Sequence, residues 1–559
     1  MRKRQQVIDH IANQKFDVCI IGGGATGSAC ALESQLRGLN TVMLDGGDFA
    51  SGSSTASTKM AHGGVRYLQE AITDLDINQY HLVEAALRER GLMLHNAPHL
   101  TRTLEYLVPC FSYFDRFYYG LGMKMYDWIA GKASLLPSRS ITREEALFRM
   151  PAMQSNNLAG AVSYADGQFD DGRYCVALVD TFDGLGGWAL NYARVTALEK
   201  NPEGKIMAAV VTDQVSRRSF RIMASAFVNA TGPFSDAMRN LASSEAASRM
   251  RPSKGVHILF PLDGFSENDA LLVPRTEDGR VIFAVPWNGR LLVGTTDTGY
   301  KPGEEMVVTR EEIEYLLRQL NPYLSSPLRA GQVVSGYAGV RPLVAAQGVT
   351  ETKKLIRDDE LEFDAKSGLI SILGGKWTTH RLMGQETIDK VQESIGEEIM
   401  PSPTIDHPLS GAAGYQWDYW ETLAEPFKLP VATAKHLAHK YGTRAPDVLR
   451  LVDADPSLSL PLVQGEAPIR AQVSYAVRHE MALTIEDVLA RRIGLQLYGW
   501  GLAIQAAPEV AQVLRKELGW SEDEELAALE QYVAKVNHML TTAGLEPVSV
   551  ATGLVAGRS

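Results

Sequence analysis

Two arrays of residues in this 559-residue chain have the types and spacing for chemistry. The first is a phosphate cradle. Gly22, Gly24 and Gly27 stand in a G-x-G-x-x-G arrangement, and Asp45 follows eighteen residues after the last glycine. The first glycine turns the chain tightly, the second lets backbone approach a pyrophosphate, and the third lets a helix pack on a strand; the later carboxylate accepts hydrogen bonds from ribose hydroxyls. A carboxylate there disfavours a 2′-phosphate, which sets NADP aside. The second array is cationic. "STKMAHGGVRYL" (57–68) gathers Lys59, His62 and Arg66 around Gly63 and Gly64, and Arg341, Arg357 and Lys376 stand in "GVRPL", "LIRDDELEF" and "GGKWTTHR". Arg and Lys suit an anion that sheds water only when several donors replace it. His257 of "KGVHILFP" adds an imidazole able to take a proton near neutral pH.

These residues need a scaffold. Residues 16–21 read as a short, fully apolar strand of the buried parallel type. Residues 25 to about 37 read as a helix whose N-terminal amides face the phosphates, and "TVMLD" reads as a second strand closing on Asp45. That is one βαβ unit. "ASAFVNATGPFSD" (224–236) is a strand running into Ala230-Thr231-Gly232, and "LISILGGKWTTHR" (369–381) is a strand running into Gly374-Gly375 and a helix start. Three such segments, from residue 22 to residue 375, suit one large folded cofactor held by discontinuous chain. FAD answers that description better than NAD.

The composition, 45% hydrophobic and 22% charged, is that of a globular protein, and the length predicts two or three domains. A net charge of −11 argues against a general nucleic-acid binder. Cys19, Cys30, Cys110 and Cys175 lie far apart with no zinc spacing, as buried packing residues of a reducing compartment do. The basic N-terminal stretch lacks the apolar core of a secretory signal, and no uninterrupted apolar run reaches the roughly 18 residues of a spanning helix. No metal site is expected. "DGQFDDG" (166–172) has Asp171 where a calcium loop needs glycine, and the paired histidines of "HNAPH" (95–99) and "HLAH" (436–439) lack a third ligand.

Read in order, "IIGGGATGSA", "DFASGSSTASTKMAHGGVRYLQ", "VNATGP", "KGVHILFP", "VPWNGRLLVGTTDTGY", "GVRPL" and "GGKWTTHR" resemble the FAD-dependent, respiratory glycerol-3-phosphate dehydrogenase family from residue 16 to about 385. The resemblance implies an α/β protein. A Rossmann-like FAD-binding domain (segments about 16–70, 190–240 and 335–390) would interleave with a mixed α+β substrate domain within 1–400. A C-terminal α-helical domain, 401–559, would follow. The implied activity is oxidation of sn-glycerol 3-phosphate to dihydroxyacetone phosphate, with electrons passed from FAD to a membrane quinone. A related oxidase branch uses oxygen and carries an extra segment after its G-x-R-P-L motif. Only 32 residues separate Pro342 from Gly374, which favours the dehydrogenase.

Carried over residue by residue, the resemblance places Arg66, Tyr67 and Arg357 at the substrate's phosphate, and His257, Arg341 and Lys376 nearer the reacting hydroxyl. His257 is the first choice of general base. A cationic Arg341 would stabilise the developing alkoxide, and the two roles can be exchanged. The expected cofactor contacts are Gly22, Gly24, Gly27, Asp45, Ser54, Ser57, Thr58, His62, Gly63, Gly64, Ala230, Thr231, Gly232, Gly374, Gly375, Lys376 and Thr378. Lys254 and Asp297 stay outside this assignment, structural or substrate-proximal. An amine or amino-acid oxidase of the same flavin fold would want one Arg for a carboxylate instead of a cationic cluster. A non-enzymatic nucleotide-binding regulator or scaffold would bind the cofactor without its being reduced.

Residues 104–129, crowded with Tyr, Phe, Met and Trp, suit either an element lying in a membrane interface or a buried aromatic wall. The family resemblance favours peripheral attachment to the inner face of the cell membrane in a cytoplasmic protein. "IMPSPTIDHPLSG" reads as a linker, and the periodic stretches beyond it read as amphipathic helices serving dimerisation or quinone-side packing. A homodimer is among the expected assemblies.

Overall fold

The computed structural model describes residues 4–64, 77–345, 355–356 and 359–549. Its first sheet is built around the apolar strand Lys15–Ile21. That strand pairs in parallel with Thr41–Leu44 on one side and Ser219–Asn229 on the other, and Trp188–Leu190 and Leu369–Leu373 extend the parallel set outward. Val18, Cys19 and Ile20 are fully buried without alternation, because helices Ala25–Leu36, Asp171–Gly184 and His380–Ile395 pack around the sheet. Register decides where the site lies. Ile21 stands opposite both Leu44 and Asn229, and Asn229 opposite Ser371, so the chain leaves these strands along one carboxyl edge.

The second sheet is ten-stranded and mostly antiparallel. Ser253–Pro261 runs between Arg290–Gly294 and Ser335–Arg341, and the long strands Thr101–Cys110 and Gly160–Phe169 form its other half. Among the described residues from 401 onward the regular elements are all helices. Helices Val431–Tyr441 and Ala445–Ala454 have a small core of their own, whereas Val473, Ile504 and Val536 share one apolar core with Leu259 and Leu292 of the second sheet. The Pro- and Ser-rich stretch near residue 400 is tied down: the hydroxyls of Ser402 and Thr404 both donate to Glu33 of the helix Ala25–Leu36.

The aromatic stretch divides between a buried strand and a partly exposed helix. Residues 104–110 belong to the buried strand, where Pro109 pairs with Ala161. Ser112 then caps the helix Tyr113–Ala130 by accepting the Asp115 amide at 3.0 Å. This helix buries Met123, Tyr126 and Ala130, and leaves Tyr113, Phe114, Phe117 and Trp128 between 69% and 81% exposed.

Candidate active site

The carboxyl edge of the first sheet brings the cofactor segments together. A Cβ on Gly22 would lie 2.4 Å from the Ala230 carbonyl oxygen, and one on Gly27 would lie 1.8 Å from the Gly22 carbonyl oxygen. Only glycine permits the strand ends and the helix to approach this closely. The Ala25 amide at the helix start donates to the Ser54 hydroxyl at 2.9 Å, which draws residues 53–55 over the glycine turn. Asp45 accepts the amides of Gly23 and Gly47, each at 2.7 Å. Burial pushes its carboxyl up to about 6 against those two donors. Gly374 and Gly375 both adopt positive φ, and Thr378 beyond them receives the His62 amide at 3.3 Å. The Trp377 indole donates to the Ser54 carbonyl at 2.9 Å, so the Gly374–Thr379 segment borders both parts of the 53–64 strip.

That strip rests on buried charge. Lys59 and Asp171, both 0% exposed, pair at 2.5 Å, and Asp171 also accepts the amide and hydroxyl of Ser57 at 3.0 and 2.7 Å. The Lys59 ammonium lies 4.9 Å from the Trp287 ring and 4.8 Å from the Tyr337 ring. Further on, the Gly63 amide donates to the Tyr126 hydroxyl, which donates in turn to Asp166, itself paired with Arg90. A Cβ on Gly63 would meet Leu87 at 2.5 Å and the Tyr126 oxygen at 2.7 Å, so packing by itself requires glycine there. Burial, then Lys376 and Arg90, hold the His62 imidazole down to about 4.

The second sheet supplies the candidate base. His257 is 3% exposed; its Nε2 lies 2.9 Å from the Thr58 hydroxyl, its ring stacks on Tyr337, and its Nδ1 is buried without a hydrogen-bond partner. Burial first, then Arg341 and Lys59, push this imidazole well below its ordinary range, so it is neutral across physiological pH. Arg341 donates to the Thr295 hydroxyl at 3.0 Å, the Thr296 carbonyl at 2.9 Å and the Ser253 hydroxyl at 3.2 Å, and pairs with Asp297 at 3.4 Å. Two glycines make room for these groups. A Cβ on Gly294 would fall 2.2 Å from the His257 ring, and one on Gly255 would fall 2.6 Å from the Arg341 guanidinium.

The structure thus brings the Gly22–Gly27 turn, Asp45, Ser54, Ala230 to Gly232 and Gly374 to Thr378 to one sheet edge, with Ser57, Thr58 and His62 to Gly64 along its flank. His257 meets that flank at Thr58 from the second sheet, and Arg341 lies on the strand paired with that of His257. Arg66, Tyr67 and Arg357 lie outside the described residues. Lys254 pairs with Glu312 at 3.0 Å, and Asp297 is an Arg341 partner. Reading motifs alone missed Tyr337 and the pairing of Lys59 with Asp171. The signal lay in "DGQFDDG", whose three aspartates pair with Arg90, Lys440 and Lys59.

Residues 17–389 match the family described as FAD dependent oxidoreductase, and residues 402–525 match the C-terminal domain of alpha-glycerophosphate oxidase. The chain is 40% identical over 539 residues to the probable mitochondrial glycerol-3-phosphate dehydrogenase of Caenorhabditis elegans, covering 94% of this chain and 74% of that one. It is 36% identical over 527 residues to the mitochondrial glycerol-3-phosphate dehydrogenase of Homo sapiens, covering 92% and 72%. The chain belongs to the FAD-dependent glycerol-3-phosphate dehydrogenase family. The crystal structure of the glycerol-3-phosphate dehydrogenase from Bacillus halodurans complexed with FAD matches this member of the family with a TM-score of 0.78 at 28% identity, covering 96% of this chain and 97% of that one. The glycerol-3-phosphate dehydrogenase architecture accounts for the cradle. Glycine turns too tight for a Cβ, a helix N-terminus and an anchored acidic side chain after the second strand fit the pyrophosphate and ribose of FAD.

Proposed function

We propose that this enzyme oxidises sn-glycerol 3-phosphate to dihydroxyacetone phosphate and passes the electrons to a membrane quinone. The observation that carries this reading is the meeting of a neutral, buried imidazole, His257, with the cofactor strip at Thr58 while Arg341 stands beside it. FAD, when bound, supplies the hydride acceptor. His257 takes the proton of the substrate's 2-hydroxyl, and its neutrality leaves a ring nitrogen able to do so. Arg341, fixed by Thr295, Thr296 and Asp297, places positive charge where the alkoxide develops. Lys376, which follows the glycine pair and acts electrostatically on His62, contributes a further positive charge to orient the substrate. Arg66, Tyr67 and Arg357 are assigned to the phosphate, where Arg forks suit a dianion.

The membrane is met through the helix Tyr113–Ala130. Its exposed ring face suits the headgroup boundary of a bilayer. Among the described residues no helix is long and apolar enough to cross a membrane. An anaerobic titration tests the whole reading. Glycerol 3-phosphate bleaches the flavin band whereas glycerol and sarcosine do not, and a soluble quinone then restores it faster than oxygen. Bleaching by sarcosine alone refutes the substrate assignment, and faster recovery with oxygen refutes the acceptor.

A further inference from the structure

We propose that Arg491 and Arg492, from the C-terminal helical region, are positioning residues for the cofactor: through Asp48 they fix the loop that presents Asp45 to the FAD ribose. The loop itself is weakly constrained by sequence, since only Gly46 and Gly47 separate the two aspartates. Asp48 is 1% exposed, and both of its oxygens are engaged. One accepts Arg491 Nε at 2.6 Å and Arg492 at 2.8 Å; the other accepts Arg492 at 2.9 Å and the Asn191 amide at 2.9 Å. Four directed donors on one carboxylate fix both its position and its plane.

The anchoring extends to the cofactor side of the loop. The Gly47 amide donates to Asp45 and the Gly47 carbonyl accepts the Tyr192 amide at 2.6 Å, so the backbone between Asp45 and Asp48 is held from both ends. Tyr192 and Asn191 are themselves tied to the C-terminal region: the tyrosine hydroxyl donates to Asp487 at 2.7 Å and the Asn191 amide to the Met481 carbonyl at 2.9 Å. Asp487 pairs with Arg491, and Arg492 donates to the Glu480 carbonyl. A π-helical turn over Asp487–Arg492 directs the two consecutive arginines at the same carboxylate. Apolar contact alone would join the C-terminal helices to the sheet as firmly as a buried ion pair. The directed bonds add a defined position for Asp45, whose carboxylate has lone pairs beyond those taken by the Gly23 and Gly47 amides with which to accept ribose hydroxyls.

The test uses full-length apoprotein, FAD titrated against flavin fluorescence, and the variants R491M and R491K. R491M binds FAD at least about tenfold more weakly, R491K recovers part of the loss, and with FAD in excess the KM for glycerol 3-phosphate stays within about twofold of the parent. Should R491M fail to fold, D48N/R491Q, which removes one charge of each sign, meets the same tenfold criterion. Folded variants that bind FAD as the parent does overturn the proposal, as does a KM that rises in step with the loss of FAD affinity. The fluorescence titration needs no substrate, so it stands apart from the assignment of glycerol 3-phosphate.

Discussion

The Nε2 atom of His257 lies 2.9 Å from the hydroxyl of Thr58, one of the hydrogen bonds that join the second sheet to the cofactor strip. A proton arriving at that nitrogen therefore enters an existing hydrogen bond. With His257 as base, H257N lowers the rate of anaerobic flavin reduction by about 10²- to 10⁴-fold with a smaller change in KM, and T58V lowers it by about five- to tenfold. Stopped-flow reduction measures both. An H257N enzyme reduced at the parent rate would transfer the role of base to another group.

Gly294 holds open the space that the His257 ring occupies. In G294A a methyl group would fall 2.2 Å from that ring, and the strand pairing on both sides leaves the backbone little room to yield. G294A is expected to retain FAD, since Gly294 lies on the second sheet, yet to lose at least about tenfold in kcat through displaced geometry. A visible flavin spectrum together with turnover checks this. Parental kcat would show that the ring can move freely.

Lys59 and Asp171 form a pair with no solvent access. K59M strands the aspartate, and about 3–5 kcal/mol of unfolding free energy is expected to go with it. K59M/D171N removes both charges and regains most of that loss. Urea unfolding of the two variants and the parent decides the matter; a double variant no more stable than K59M would place the value of Lys59 in its contacts with Trp287 and Tyr337.

The exposed rings of the helix Tyr113–Ala130 predict binding to lipid. F114S/F117S is expected to cut co-sedimentation with phospholipid vesicles at least about fivefold while leaving flavin reduction by glycerol 3-phosphate intact. Unchanged sedimentation, or a shift from dimer to monomer in solution, would assign this face to protein contact.

Acid destabilises the fold through its buried histidines. Burial chiefly holds His62 and His380 down to about 4, and His99 and His436 down to about 3. A depressed folded value means stability present above the unfolded value near 6.5 and lost as pH falls toward the folded one. Asp45 and Asp166, pushed up to about 6 by burial, act in the opposite sense, because the folded chain binds their protons first. Counting His257, His407, His439 and His479, eight imidazoles among the described residues are depressed, against four raised carboxyls once Asp171 and Asp487 are included. Between pH 6.5 and 4.5 each net proton is worth about 1.4 kcal/mol per pH unit. The melting temperature of the apoprotein should fall steadily over that range; a flat or rising profile would show these imidazoles solvated.

Local sequence determined the cofactor half of this protein. A glycine spacing, an apolar strand before it and an acid after the next strand are constraints that neighbours in the chain impose on one another, so the βαβ unit, Asp45 and the glycine-ended later strands were all legible. His257 and Arg341 were legible as candidates because each stands in a short motif. Which charges lie inside was decided only by the tertiary structure. Lys59 looked like a loop cation and Asp171 like a failed calcium ligand, yet each is the other's buried counter-charge. Arg491 and Arg492 read as part of an ordinary amphipathic helix, more than 440 residues from the Asp48 they hold. Pairing at that separation leaves no periodicity or spacing in the chain. It is fixed only when burial removes water and each charge must find an opposite one.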